Sequence, residues 1–134
     1  MKRLSVLALA LPVLLLPACG STQSSPEDEV RATLSQIADS IENKEYGNIC
    51  DHMSPKAIDD IEQRTDGSCE AAAVLSVGFA SDKDLDAMRN PDKIEIDGNI
   101  AHALYDDPTI KSGELVNVDG EWMIPSDAEV DVDK

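Results

Sequence analysis

The sequence is poor in aromatic residues and in the motifs that most often carry catalysis. It contains one Trp, one Phe, two Tyr and two His among 134 residues. With so few aromatic rings, the hydrophobic core has to be built from Ile, Val, Leu, Met and Ala. The sequence also has no G-x-S-x-G motif, no phosphate-binding glycine loop and no dinucleotide fingerprint. The strongest sequence signals for an α/β-hydrolase, a P-loop NTPase or a Rossmann dehydrogenase are therefore missing.

Basic residues are scarce as well. The chain has 11 Lys and Arg against 27 Asp and Glu, a formal net charge of −16. Such a surface repels phosphate backbones and anionic lipid head groups, which argues against nucleic acid and against peripheral binding to an acidic membrane. The simplest interpretation of the acidity is that it keeps the protein soluble. A partner selected by charge would be cationic.

The N-terminal segment has the composition of an export signal. Lys2 and Arg3 precede an apolar run over residues 4–16, which only Ser5 and Pro12 interrupt. A membrane-spanning helix needs about 20 apolar residues, so this run is too short to be one. A positive start, a short apolar stretch and a small-residue cleavage site are instead typical of a secretory signal peptide.

A short motif stands at the predicted cleavage site. Residues 16–20 read Leu-Pro-Ala-Cys-Gly and resemble a lipobox, although Pro17 departs from the Ser, Thr, Ala or Val that is usual there. The resemblance implies that Cys19 receives a diacylglyceryl group and becomes the new N-terminus, with the protein at the extracytoplasmic face of the cell membrane. An ordinary signal cut after Ala18 would instead leave a secreted protein with an unpaired Cys19.

This processing predicts a chain of four parts. Residues 1–18 form the signal peptide, and their removal takes two basic residues, leaving 9 basic and 27 acidic side chains and a net charge of −18. Residues 19–26 hold the lipidated Cys and a small, polar, flexible linker. Residues 27–126 form one folded domain, and residues 127–134 form an acidic tail that is expected to fray.

Three serines mark predicted helix starts. Ser25 and Ser54 each precede a proline, which suits the first helical position, and Ser68 precedes an Ala-rich run. Four apolar residues recur at spacings of four, three and four, as on one face of an α-helix: Val30, Leu34, Ile37 and Ile41. The first helix is predicted to end near Tyr46, and a short second element covers residues 48–53.

The hydrophobic period changes to two from Lys93 onward. Ile94 and Ile96 alternate with charged residues, and Asp97-Gly98-Asn99 and Asp119-Gly120 predict the tight turns of two hairpins. A run of helices followed by a run of strands indicates an α+β domain with an antiparallel sheet.

The order of these features follows a known plan. The chain begins with a helix, which is followed by a Cys, a Ser-Pro pair and a second Cys at the start of an Ala-rich helix. An Asp-Gly hairpin comes next, and the last strand lies in residues 118–124, which read Val-Asp-Gly-Glu-Trp-Met-Ile. Over residues 27–126 this order resembles the nuclear transport factor 2-like superfamily. It is more narrowly similar to small lipoproteins of high-GC Gram-positive bacteria. The resemblance implies N-terminal helices packed on a curved antiparallel sheet, a cone that sometimes leaves a pocket.

Two cysteines remain once Cys19 is assigned to lipid. Cys50 and Cys69 form an even pair in an oxidising compartment, so a disulfide between them is expected. It would tie the short second element to the start of the Ala-rich helix. The alternatives are two buried thiols or a redox pair, and the redox pair lacks both C-x-x-C spacing and a neighbouring basic residue.

The two histidines do not form a metal-binding pattern. A zinc site needs three or four ligands at suitable spacing, and no cluster of His, Cys and carboxylates around His52 or His102 supplies them. We therefore expect no metal and no cofactor. His102 lies between Ile100 and Leu104 on a predicted strand, which makes it either a pocket residue or, the favoured interpretation, a core histidine with a satisfied ring.

An enzymatic role would rest on few residues. Some members of the resembled superfamily are isomerases or dehydratases that act on apolar substrates, with an Asp or His base and a Tyr donor inside the cone. The residues that could serve here are Asp51, His102, Tyr105 and Tyr46, and nothing in the sequence brings two of them together.

Two functional hypotheses follow from the sequence. The first is a lipid-anchored envelope protein whose non-enzymatic domain binds an unknown protein partner or a small apolar ligand. The alternative is a small isomerase-like or dehydratase-like enzyme with a base and a tyrosine in the cone.

Overall fold

A computed structural model describes residues 24–130 of the chain. The predicted signal peptide, Cys19, most of the predicted linker and residues 131–134 lie outside the described part. The described elements are α1 (Pro26–Glu42), α2 (Tyr46–Asp51), α3 (Pro55–Thr65), α4 (Cys69–Val77), α5 (Asp82–Arg89), β1 (Lys93–Asp97), β2 (Ile100–Leu104), β3 (Gly113–Val118) and β4 (Glu121–Met123). Helices followed by an antiparallel sheet confirm the predicted α+β class.

The predicted helix starts are confirmed by their caps. The Oγ of Ser25 accepts the backbone N–H of Asp28 at 3.2 Å, and the Oγ of Ser54 accepts that of Ala57 at 3.0 Å. Ser68 caps α4 in the same way. A hydroxyl acceptor at this position satisfies one of the backbone donors that the first helical turn leaves free.

The end of α1 differs from the prediction. The helix stops at Glu42 rather than near Tyr46, because Lys44 takes a left-handed conformation with φ of 60°. The N–H of Lys44 bonds to the carbonyl of Ile41, and the N–H of Glu45 bonds to that of Ser40 at 2.8 Å. This is the hydrogen-bond pattern of a Schellman motif, which satisfies the last carbonyls of a helix. The chain then restarts as α2.

The four strands form an antiparallel meander in the order β1-β2-β3-β4, with β1 and β4 at the edges. Gly98 turns the first hairpin with φ of 63°, and Asp119 and Gly120 turn the last one with φ of 53° and 93°. Positive φ at the centre of a two-residue turn matches the twist of the flanking strands. Both turns lie at the predicted positions. The first has Gly98 and Asn99 at its centre, because Asp97 still pairs with Ile100 in the sheet.

α1 packs on one face of this sheet and forms the centre of the core. Its predicted apolar stripe is buried, and β2 and β3 meet it with small and branched side chains. The buried cluster consists of Val30, Leu34, Ile37, Ala38, Ile41, Ile49, Ala73, Leu85, Ala101, Ala103, Leu115 and Trp122. The core is therefore almost entirely aliphatic, as the composition predicts.

The last described residues are packed against the domain. Val130 is buried, and Glu129 accepts hydrogen bonds from the Ser54 hydroxyl and from the backbone N–H of Ser126. These bonds hold the pKa of Glu129 below its usual value although desolvation by burial raises it. The prediction that the chain frays after residue 126 is therefore wrong for residues 127–130.

Candidate functional site

Cys50 and Cys69 join the short helix α2 to the start of α4. Their sulfur atoms are 2.08 Å apart, at disulfide distance, and the Sδ of Met53 lies 3.4 Å from the Sγ of Cys69. Cys69 is buried. The pair thus has the position of a structural link between two helices.

His102 does not lie in the core or in a pocket with the other candidates. Its neighbours Ala101 and Ala103 are buried beneath α1, so His102 points to the opposite face of the sheet. The side chain is 35% exposed, and its Nδ1 lies 3.2 Å from the Oε1 of Glu114. The favoured interpretation of His102 as a core histidine is therefore wrong. The face that it shares with Ile100 and Leu104 was predicted correctly, but that face is not the one that α1 covers.

The other candidates for catalysis lie apart. Tyr105 is partly buried against the core, and burial raises the pKa of its hydroxyl. Asp51 is exposed at the end of α2 and lines a pocket to which neither His102 nor Tyr105 contributes. A general base and its partner have to converge on one substrate, and this geometry does not bring these residues together.

Among the surface pockets that we identify in the described part, the one that holds Asp51 has the largest excess of acidic over basic side chains, and we call it the acidic pocket. It has a volume of about 320 Å³, within the usual range for small-molecule sites. Three separate segments form its wall: one side of α1, the end of α2 and the β3–β4 hairpin. The lining residues are Glu29, Thr33, Gln36, Asp51, His52, Gly120, Glu121, Trp122 and Met123.

The carboxylates of the acidic pocket form no ion pair in the described part, although His52 lines the same pocket. Within residues 24–130, none of the ion pairs includes Glu29, Asp51 or Glu121. The same described part contains no group of three or more His, Cys, Asp or Glu side chains arranged to hold a metal ion. The wall of the pocket therefore carries an excess of acidic side chains.

Trp122 belongs both to this wall and to the buried core. It is the only tryptophan of the chain, and 7% of its surface is exposed. Its buried Nε1 has no hydrogen-bond partner among the described residues. An indole N–H is a donor only, and buried donors without a partner are uncommon.

A second unusual surface lies at the C-terminal end of α4, and we call it the apolar face of α4. It consists of Val74 and Leu75 on the helix and of Phe79, two residues after the helix ends. These side chains are 40%, 74% and 90% exposed. The opposite side of the helix is packed, since Cys69 and Ala73 are buried. Large apolar side chains grouped on one exposed surface mark interaction sites more often than isolated ones do.

The composition of α4 is a signal for this face that the prediction of an Ala-rich helix did not include. Of the nine residues of α4, Glu70 alone is charged. A helix that is apolar on all sides is normally buried on all sides, so a short surface helix of this composition has to leave apolar residues exposed. The acidic pocket had no comparable signal, because its residues come from three distant parts of the chain.

Comparison with known proteins gives no relative. The chain matches no protein-family model, and no curated protein or solved structure was found to be similar to it. No helix in residues 24–130 has the length and apolar character required to cross a bilayer.

Proposed function

We propose that this chain is a lipid-anchored envelope protein whose folded domain is a non-enzymatic docking domain for a cationic protein. The apolar face of α4 is the observation that carries the proposal. The anchor rests on the lipobox-like residues 16–20 and on Cys19. In this proposal residues 27–126 form a nuclear transport factor 2-like domain, which the packing of α1 on one face of the sheet supports.

The exposure of the α4 face favours a protein as its partner. Leu75 stands on a helix that the disulfide fixes to α2, and Phe79 follows the end of that helix by two residues. Apolar and aromatic side chains of this kind form the centre of protein interfaces, where they supply much of the binding free energy.

Charge selects the kind of partner. Residues 45–82, which contain α4, hold eight acidic and two basic side chains. Both basic residues are engaged, since Lys56 pairs with Asp60 and Arg64 pairs with Asp127. A second copy of the chain would bring the same negative charge, and so would an anionic membrane. A protein segment with apolar residues and surrounding Lys or Arg is complementary to this surface.

Site-specific photo-crosslinking on intact cells tests the docking surface. A crosslinker at Leu75 should capture one protein, whereas a crosslinker at Asn99, on the exposed β1–β2 turn, should not. The purified partner should bind the unmodified protein more weakly in high salt than in low salt. It should bind the Phe79→Ser variant more weakly still. Capture of a second copy, of lipid, or of the same proteins from both positions would contradict the proposal.

The anchor has a separate test. Replacing Cys19 with Ala should move the protein from the membrane fraction to the medium, because the acyl chains that hold it on the bilayer are lost. Retention of the variant in the membrane fraction would show that Cys19 is not the anchor.

A further inference from the structure

Met53 lies at a junction that neither the docking surface nor the acidic pocket includes. It stands in the short link between α2 and α3, and its backbone pairs with that of Ile124, just after β4. Two hydrogen bonds flank this pairing. The N–H of Ile124 donates to the carbonyl of His52 at 2.7 Å, and the N–H of Ser54 donates to the carbonyl of Ile124 at 2.9 Å. The link therefore attaches α2 and α3 to the chain that leaves the edge of the sheet.

The side chain of Met53 also contacts the disulfide. Its Sδ lies 3.4 Å from the Sγ of Cys69, which is bonded to the Sγ of Cys50. Cys69 is buried, so the thioether packs beside the covalent link between α2 and α4. One residue thus takes part in the backbone pairing at the sheet and in the packing of the disulfide.

A surface pocket gives small molecules access to this residue. The pocket lies between α3 and residues 125–127, and Met53, Ala57 and Ile61 are among its lining residues. Its volume of about 160 Å³ is below the range of about 300–1,000 Å³ that is usual for small-molecule ligands. A water molecule takes up about 30 Å³ of the liquid, so the pocket admits several molecules of that size. Met53 is itself partly exposed, and a reagent as small as a peroxide can reach it.

We infer that Met53 is a modification site, at which hydrogen peroxide converts the thioether to a sulfoxide and thereby loosens α2, α3 and α4 from the rest of the domain. A lone pair of Sδ attacks one peroxide oxygen, and the S–O bond forms as the O–O bond breaks. The proton of the transferred oxygen passes to the leaving hydroxide, which departs as water. The sulfur loses two electrons and the peroxide gains them.

The sulfoxide does not suit the position that the thioether occupies. Oxidation turns a flexible apolar side chain into a polar one, and a polar group is stabilised by water rather than by packing. The oxidised side chain of Met53 should therefore leave the buried Cys69 and turn into the pocket. The packing beside the disulfide is then lost, and the pairing with Ile124 is weakened because the same residue carries it.

The other methionines of the described part are placed differently. Met88 packs against the core cluster from α5, and Met123 lies in β4. Met123 is partly exposed and lines the acidic pocket, so peroxide can reach it as well. Met123 is therefore the matched control, since it is an accessible methionine outside the link between α2 and α3.

Peroxide treatment of the purified protein, with its disulfide intact, tests the inference. Peptide mass spectrometry should find one added oxygen on Met53. Hydrogen exchange in α2, α3 and α4 should become about tenfold faster, the effect of one moderately destabilising change, while exchange in α1 and the sheet stays the same.

Three variants assign the effect to Met53. Met53→Leu keeps the side chain apolar and close to the original volume but cannot form a sulfoxide, so it should exchange normally and not respond to peroxide. Met123→Leu should respond like the unmodified protein. Met53→Gln introduces a polar group of similar length and should speed up exchange in α2, α3 and α4 without peroxide.

The inference would be overturned if peroxide oxidised Met123 but not Met53, or if the Met53 sulfoxide left exchange unchanged. An equal response of Met53→Leu and the unmodified protein would also overturn it. None of these measurements involves a partner protein or the lipid anchor, so their outcome is independent of the proposed function.

Discussion

The two parts of this domain are stabilised in different ways. The α1–sheet body, made of α1, α5 and the four strands, buries large aliphatic side chains on a long helix and the face of a sheet. The arm, made of α2, α3 and α4, buries mostly small ones. Its buried apolar residues are Ile49, Ala57, Cys69 and Ala73. The arm relies more on a disulfide and on helix caps, and it is the arm that leaves large apolar side chains exposed.

This difference separates stability from binding. The hydrophobic contribution to stability scales with the apolar area removed from water, so the body supplies most of it. The arm holds Val74, Leu75 and Phe79 at the surface, where they contribute little to folding and remain free for a partner. A covalent link keeps such a segment in place without requiring that its apolar residues be buried.

Two leucines, one in each part, give the largest predicted contrast. Leu34 of α1 is 5% exposed and Leu75 of α4 is 74% exposed. Leu34→Ala should lower the free energy of unfolding by about 3 kcal/mol, because it removes buried methyl groups and leaves a cavity. Leu75→Ala should change it by less than about 0.5 kcal/mol. Chemical denaturation of both variants measures the difference, and similar losses would show that α4 packs against another surface.

Removing the disulfide is expected to have the next largest effect, and this effect should be greatest in the arm. Cys50 and Cys69 are 19 positions apart, so the double substitution to Ser should cost about 3 kcal/mol in the chain-entropy description of a closed loop. Hydrogen exchange should speed up in α2 and α4 before it does in α1 and the sheet. If protection falls equally in every element, the arm and the body unfold as one unit and the comparison fails.

The features that the sequence predicted correctly are local. The caps at Ser25, Ser54 and Ser68 depend on a hydroxyl, a following helix former and nothing more distant. The turns at Gly98 and Gly120 depend on residues that accept positive φ. The end of α1 was missed because Lys44, not a glycine or an asparagine, takes the left-handed conformation there.

The features that could not be predicted depend on tertiary packing. Alternation placed Ile100, His102 and Leu104 on one strand face, but it cannot say which face a helix covers. α1 covers the face of Ala101 and Ala103, whose small side chains are buried there. The acidic pocket likewise arises only where three distant segments meet. Sequence spacing carries no information about that meeting.

A pair of cap residues tests whether the caps support the arm equally. The Ser54 side chain is fully buried, caps α3 and also donates to Glu129, whereas Ser68 is exposed and caps α4 alone. Ser54→Ala should cost about 2 kcal/mol, at the upper end for a cap, since it also removes one of the two hydrogen-bond donors to Glu129. Ser68→Ala should cost about 0.5 kcal/mol. Thermal unfolding ranks the two, and equal losses would mean that the Glu129 contact adds no stability.

The smallest effect concerns charge on the surface of the body. The Nζ of Lys83 in α5 lies 2.6 Å from the Oδ2 of Asp107, and the Oδ1 of the same carboxylate accepts hydrogen bonds from the N–H and the hydroxyl of Thr109. Bonding to Lys83 and then to Thr109 lowers the pKa of Asp107 in the folded state. The ionised Asp107 carboxylate therefore contributes fully to stability above about pH 3.9, the pKa of an Asp in the unfolded chain, and this contribution is lost as the pH falls below that value.

Asp107→Asn should accordingly lower the melting temperature slightly at pH 7, and high salt should reduce the difference because both side chains face solvent. The melting temperatures of the variant and the unmodified protein should converge as the pH is lowered from about 4 toward 2, where the carboxylate of the unmodified protein is progressively protonated. Melting curves at several pH values and two salt concentrations measure this. A difference that grows on acidification would have the wrong sign for a lowered pKa, and it would show that Asp107 supports the body through something other than its charge.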